Sequence, residues 1–501
     1  MSRYWNLHIP VVFFIQWVVL LLFFSATPLY AANKDRLVTA GPLFDYRSSA
    51  AVDYAAFHLA GPFIKWEKKG SERESAFRPL FYRAADPDRN AALVDVLFPL
   101  FRYRRDRDMS EWNFLGLIKY EGQNYTDRQR REFKLFPFFE YGSGVGRPTS
   151  HAIFPFSAHV YNWFGREETR YVLFPLWART HHRDGTRIDN VIWPFFARIR
   201  GENPNEWGFK AWPLTGYATR PGDYEKFFFL WPFWIDNDTA LGTDNPRHDR
   251  FVFPLWLYSE SPQRSERTAL WPFFSYIEDR NKGYTEWNLP WPIFTIASGE
   301  YRHGLRILPF YSDLTTGTSR TRWYLWPFYR LENADLATIE RKRHSLLYMI
   351  YSDVRETDKR GGETRLHRRL FWPLFGYQQV GEVSNFYTLA LLEPFFPESE
   401  ALVRNWSPLW RLYQVKWDQQ GNCVDSLLWN LYWHERGPKG VAWEVFPLFF
   451  YRNEVTGQRE WSFLKGLIRY RSSPEKGSTL QLLYLPWGIP LGENTISPVT
   501  D

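Results

Sequence analysis

The chain has 501 residues, a net charge of +7, a single cysteine and an aromatic share of 20%. One cysteine excludes an internal disulfide and any Cys-based metal site or redox pair, and so mild a charge, with acids and bases interleaved, argues against a nucleic-acid partner. The 26 Trp, 29 Tyr and 43 Phe can hold a fold by burial instead, since each ring hides about 150–250 Å².

Residues 1–32 carry Arg3 as their only formal charge, then an apolar run at 9–24, then small residues ending in Ala31 and Ala32. That order reads as a secretory signal peptide cleaved after Ala31, or as an N-terminal membrane anchor if it stays attached. The run is slightly short to span a bilayer. Either form implies export across the inner membrane, to the periplasm, the outer membrane or the outside. Uncleaved, residues 9–24 give the chain a membrane association.

From about residue 40 to 491 one phrase recurs: an aliphatic residue, Phe or Trp, Pro, Leu or Phe, and another aromatic, as in Leu173-Phe174-Pro175-Leu176-Trp177. The centre of this aromatic-proline knot falls in twenty-four places from Pro42 to Pro486, with a period of about 19 residues. Four copies replace the proline, with Gly116, Met349, Asn430 and Gly466. Between knots come aromatic-rich arms around a polar turn such as Asp184-Gly185, Pro221-Gly222 or Thr316-Gly317. Aromatic and β-branched runs bounded by Gly, Asp and Asn read as strands joined by hairpin turns.

Proline cannot donate to a sheet ladder. The knots are therefore expected at bends, bulges or unpaired edges, and Gly and Asn among the substitutes agree with a bend. Met349 does not fit this rule. Around the knot both strand faces are apolar, which predicts knots converging on a shared aromatic core with the hairpins directed outward. Closure into a ring would remove exposed sheet edges.

The fold class is therefore all-β: tandem hairpin repeats of about 19 residues in one large antiparallel body, closed or ring-like. The body is expected to run continuously over 40–491, with a looser register at 331–407 and a polar tail at 492–501. Helical signals are weak and confined to 50–58 and 333–342. Such arrays resemble the MORN and YD-repeat proteins in general architecture. The Gly-rich signature of the first and the Tyr-Asp-x-x-Gly signature of the second are absent, so no function carries over.

Candidate sites are few. Asp236, Asp238 and Asp244 form an acidic group that could take a cation, but Ala240 and Leu241 stand where a calcium loop needs a ligand and a glycine. A solvated turn is the plainer reading. His181, His182 and Asp184 sit at an expected hairpin tip. Ser143 lies between glycines without a nucleophile elbow. No catalytic constellation emerges and no cofactor is implied.

A Tyr-Arg pair recurs just outside the knot: Tyr46-Arg47, Tyr82-Arg83, Tyr103-Arg104, Tyr329-Arg330, Tyr451-Arg452 and Tyr470-Arg471. These pairs are candidates for a ligand surface recognising sugars or polyanions. In structural terms they are arginines capping aromatic neighbours. The expected function is a non-enzymatic exported scaffold or binding protein of a bacterial cell envelope, its partner a glycan, a protein or another envelope component. The alternatives are an outer-membrane β-barrel serving as channel or transporter, and a lectin-like glycan-binding module.

Overall fold

The computed structural model describes residues 36–125, 128–396, 399–474 and 477–491. The expected signal or anchor and the polar tail lie outside the described residues. Among the described residues, forty-six strands of two to eight residues, nearly all antiparallel to their chain neighbours, make the fold all-β. Each repeat supplies two strands. The knot forms a tight turn at one end, as between Arg166–Val172 and Trp177–His181, and the polar turn forms the other, as between Trp177–His181 and Arg187–Val191.

Two compact units divide the chain. The larger comprises Ala85–Gly381 and Ala390–Leu402. The composite unit joins the residues up to Ala84 with Glu382–Leu389 and with those from Val403 onward. The stretch with loosened repeat spacing differs locally. Strands Ile339–Leu346, Tyr351–Asp358 and Thr364–Phe371 each lengthen to eight residues. A short helix, Glu400–Asn405, and a single 3-10 turn, Ser407–Leu409, follow. Pro394 and Pro408 are therefore not hairpin knots. The two weak helical stretches are strand instead, within Tyr54–Leu59 and within Tyr329–Asp335 and Ile339–Leu346.

Strand alternation gives the larger unit two unlike faces. One ladder row runs Ala158, Tyr171, Ala178, Asn190 and Ala197, and continues further on through Thr268, Ser275, Asn288, Thr295, Arg306 and Ser312. Ala158, Tyr171, Ala178, Thr268, Asn288 and Thr295 in this row are buried, so small side chains dominate the buried face. The neighbouring row on the other face runs His159, Arg170, Arg179, Asp189 and Arg198. There cross-strand charge pairs, such as Arg179 to Asp189 at 2.5 Å, hold neighbours together.

Among the described residues the strands are not closed into a ring by hydrogen bonds. Among the described residues, Arg36–Ala40 pairs with Phe44–Ser49 and Ile489–Pro490 with Gly477–Leu482, and the two terminal strands do not pair with each other. The last strand has two residues and ends on proline, which cannot donate to a further ladder. Side chains do the joining in the composite unit. Gly41, with φ of +53°, lies so close to Phe446 that a Cβ there would meet the ring at 2.4 Å. Arg78 donates from Nε to the Arg404 carbonyl at 2.7 Å, and Arg404 lies over the Tyr82 ring at 5.0 Å.

Candidate functional site

In the knot of Leu173 to Leu176 the three amides are paired within the protein. In Leu173-Phe174-Pro175-Leu176, the amide of Leu173 donates to Phe156 and that of Phe174 to Pro155, both in the preceding knot. Leu176 closes the turn onto the Leu173 carbonyl at 2.8 Å. The following knot repeats the pattern: Ile192 donates to Leu176 at 2.8 Å and Trp193 to Pro175 at 2.7 Å. Trp231 to Pro213, Trp271 to Pro254 and Trp326 to Pro309 continue the series. Proline occupies the position whose amide would have no partner, and its carbonyl accepts from the next knot. Among the described residues the aromatic-proline bond is cis at Phe174-Pro175, Trp193-Pro194 and eleven other knots.

The knots do not converge on a core. Phe138, Phe156, Leu176, Leu214, Leu255 and Phe310 are each more than half exposed. At a four-residue reversal the side chains splay outward, whereas mid-strand residues gain neighbours on both sides, and the buried positions lie mainly in strand interiors, with Ala, Ser and Thr the commonest among them. Each unit thus presents an edge of apolar turns. In the composite unit Leu43, Leu448 and Leu483 are exposed likewise, and Leu464 donates to Leu448 at 2.8 Å. The opposite edge is made of polar turns, with isolated apolar residues such as Val145 and Phe164.

The Tyr-Arg pairs are divided between the two units. Neighbours on a strand point to opposite faces, so each Tyr parts from its Arg. Four pairs lie in the composite unit, and Tyr103-Arg104 and Tyr329-Arg330 lie in the larger one. Arg47 sits over the Trp433 ring at 5.1 Å and pairs with Asp45 at 3.1 Å and Glu435 at 3.0 Å. Arg330 sits over Trp323 at 5.1 Å. Arg452 pairs with Glu454 and Arg471 with Glu460, while Arg83 and Arg104 are exposed. Tyr82 is buried, and burial, with Glu74 second, raises its phenol well above the ordinary range. Tyr46, Tyr103, Tyr329, Tyr451 and Tyr470 are half-buried.

The acidic group is divided among partners. Asp236 faces Arg250 at 3.5 Å, Asp238 faces His248 at 2.7 Å, and Asp244 is exposed in the turn beyond. Among the described residues, no group of three His, Cys, Asp or Glu is placed to hold a metal ion. His181 instead joins Glu168, whose carboxylate also meets His159 and Arg170. Burial alone would raise the Glu168 carboxyl, but hydrogen bonds from Arg170, His181 and His159 hold it below the usual range.

Asp184 accepts from the Thr186 amide at 3.0 Å and pairs with Arg220 at 2.9 Å. Burial works against ionisation, yet these bonds bring its carboxyl down to about 2. A depressed folded pKa stabilises above the unfolded value, so this tip is held above about pH 4. The contribution is lost as pH falls through about 2. Hydrogen exchange at the Thr186 amide is expected to accelerate over that window relative to neighbouring strands, and to show no such step in Asp184→Asn.

No protein-family model matches the chain, and no curated protein resembles it in sequence. The fold and the two unlike edges define the class: an all-β tandem hairpin repeat protein with aromatic-proline turns gathered on one side of each unit.

Proposed function

We propose that the protein is a non-enzymatic β-repeat scaffold of a bacterial cell envelope that docks its knot edge on a lipid surface. The observation that carries this reading is the run of exposed Leu, Phe and Trp at successive turns, which hydrogen bonds link from knot to knot. Lipid strands any unpaired amide or carbonyl at a cost of several kcal/mol, so these turns suit the membrane–water boundary, where the carbonyl before each proline still meets water. Trp favours the membrane–water boundary, and Trp193, Trp231, Trp271 and Trp326 each precede a knot proline. The order of residues 1–32 supports export.

An edge-on contact suits these strands better than a spanning barrel. Membrane strands run about 9–11 residues with an apolar outer band. Here the charge ladder His159, Arg170, Arg179, Asp189 and Arg198 crosses mid-strand.

The test uses Cys423→Ser as background, with a polarity-sensitive fluorophore on a cysteine placed at Leu214, a knot tip, or at Asp244, a polar tip. Vesicles of phosphatidylethanolamine and phosphatidylglycerol are expected to blue-shift the Leu214 probe and leave the Asp244 probe unchanged. Unchanged emission at Leu214, or equal shifts at both tips, would overturn the reading.

A further inference from the structure

One knot breaks the proline rule without glycine or asparagine, and a hollow opens beside it. Turn residues Leu347 and Tyr348 have φ of +47° and +60°, and the amide of Met349 donates to the Leu347 carbonyl at 2.7 Å. Proline there would forfeit that bond, which accounts for the methionine. Tyr348 and Met349 are exposed and border a hollow of about 180 Å³ in the larger unit. That is below the range of about 300–1,000 Å³ usual for drug-sized ligands, and suits a single charged group.

Strand register explains the hollow. One ladder row sets Trp323, Arg330, Ser345, Ser352 and Leu370 side by side. The next row on the same face sets Glu332, Arg343, Val354 and Arg368. Two small serines stand between larger neighbours, leaving space above them. Arg330 and Arg343 share one carboxylate, Glu332, at 2.7 and 3.9 Å. The Arg330 Nε is buried without a hydrogen-bond partner. Two guanidiniums against one carboxylate leave positive charge at the wall of the hollow, and Arg330 lies over the Trp323 ring. Forked guanidinium donors match phosphate oxygens.

We infer that this hollow binds a phosphate-bearing lipid headgroup, with the acyl chains leaving over Tyr348 and Met349 onto the knot edge. The inference rests on the lipid-docking reading and adds a headgroup class to it. Free phosphate shares the headgroup chemistry but would make no use of the apolar lip.

The test takes the full chain and two probes. Dihexanoyl phosphatidic acid, a short lipid that stays monomeric, is titrated by calorimetry beside inorganic phosphate. Phosphatidylcholine vesicles with and without phosphatidic acid are then compared. The short lipid is expected to bind well above inorganic phosphate, and vesicles containing phosphatidic acid to bind better than neutral ones. Arg343→Gln is expected to weaken short-lipid binding about five-fold, the worth of one basic residue at an anionic surface, and Arg343→Lys to recover part of it. Neutral vesicles should still bind both variants. Equal binding of inorganic phosphate and short lipid, or an unchanged affinity in Arg343→Gln, would overturn the headgroup site while leaving the edge reading standing on the neutral vesicles. Short-lipid binding without any vesicle binding would keep the site and remove the docking edge.

Discussion

Glu444→Ala is expected to cost the composite unit about 3–5 kcal/mol, the penalty of stranding a buried partner. Glu444 is 1% exposed, as is Trp433, which donates to it from Nε1 at 3.1 Å. Its carboxylate also accepts from the Thr39 hydroxyl and pairs with Lys465, whose ammonium donates to the Thr39 carbonyl at 2.5 Å. One carboxylate thus ties strand Arg36–Ala40 to a turn more than four hundred residues later. Nearby, Asn430 donates to Asp45 at 3.1 Å and adds a second tie of the same kind. Burial is the main force on the Lys465 amine and lowers its pKa, with Glu444 opposing it.

Without Glu444 the burial is opposed only by the smaller effect of Asp45. The folded pKa then lies further below the unfolded value, so the variant is weakest where the amine is charged. It should recover as pH rises from the depressed value toward about 10.4. Urea unfolding across that range, with hydrogen exchange in strands Arg36–Ala40 and Phe44–Ser49, measures both effects. A loss within about 0.5 kcal/mol, typical of a surface substitution, would show that the tie is not structural.

Periodicity made the strand content and hairpin order legible in the sequence. A pattern that repeats about every 19 residues, with Asp184-Gly185 or Thr316-Gly317 midway, leaves little other than a meander. The prolines also announced a bend, because a missing amide is a local property of the residue. The burial of the knots was misread for a different reason. Alternate faces in Val172-Leu173-Phe174-Pro175-Leu176 are all apolar, which in a straight strand means burial on both sides. In a four-residue turn there is no second side, and Leu173 and Leu176 end up about half exposed.

Glu444 and Lys465 gave no sign in the sequence. Their pairing depends on which distant strands meet, and single acidic and basic residues are indistinguishable among 55 acids and 62 bases. Met349 was visible as an exception, but its reason required the turn geometry. The Arg330 and Arg343 hollow had half a signal, through the Tyr329-Arg330 pair. Register then placed two serines beside it, and register between strands is set by turn length rather than by composition.

The second large effect concerns the knot tips. Leu176, Leu214 and Leu255 each follow a knot proline in the larger unit, and each is more than half exposed. Replacing all three with aspartate removes apolar area that lipid would cover, at about 1.5 kcal/mol per leucine for a side chain already partly buried. The sum, about 4–5 kcal/mol, corresponds to roughly a thousand-fold weaker vesicle association. The fold should survive, because these side chains project from turns whose bonds run through the backbone, as from Leu230 to the Leu214 carbonyl and Leu270 to the Leu255 carbonyl. Circular dichroism and urea midpoint are therefore expected to match the parent chain, while emission from the Leu230→Cys fluorophore conjugate, in the Cys423→Ser background, loses its vesicle-induced shift. A triple variant that keeps the shift would place the contact elsewhere on the protein. One that loses the shift and also its strand signal would mean that the tips hold the turns together, and that their exposure has a structural cause rather than a lipid partner.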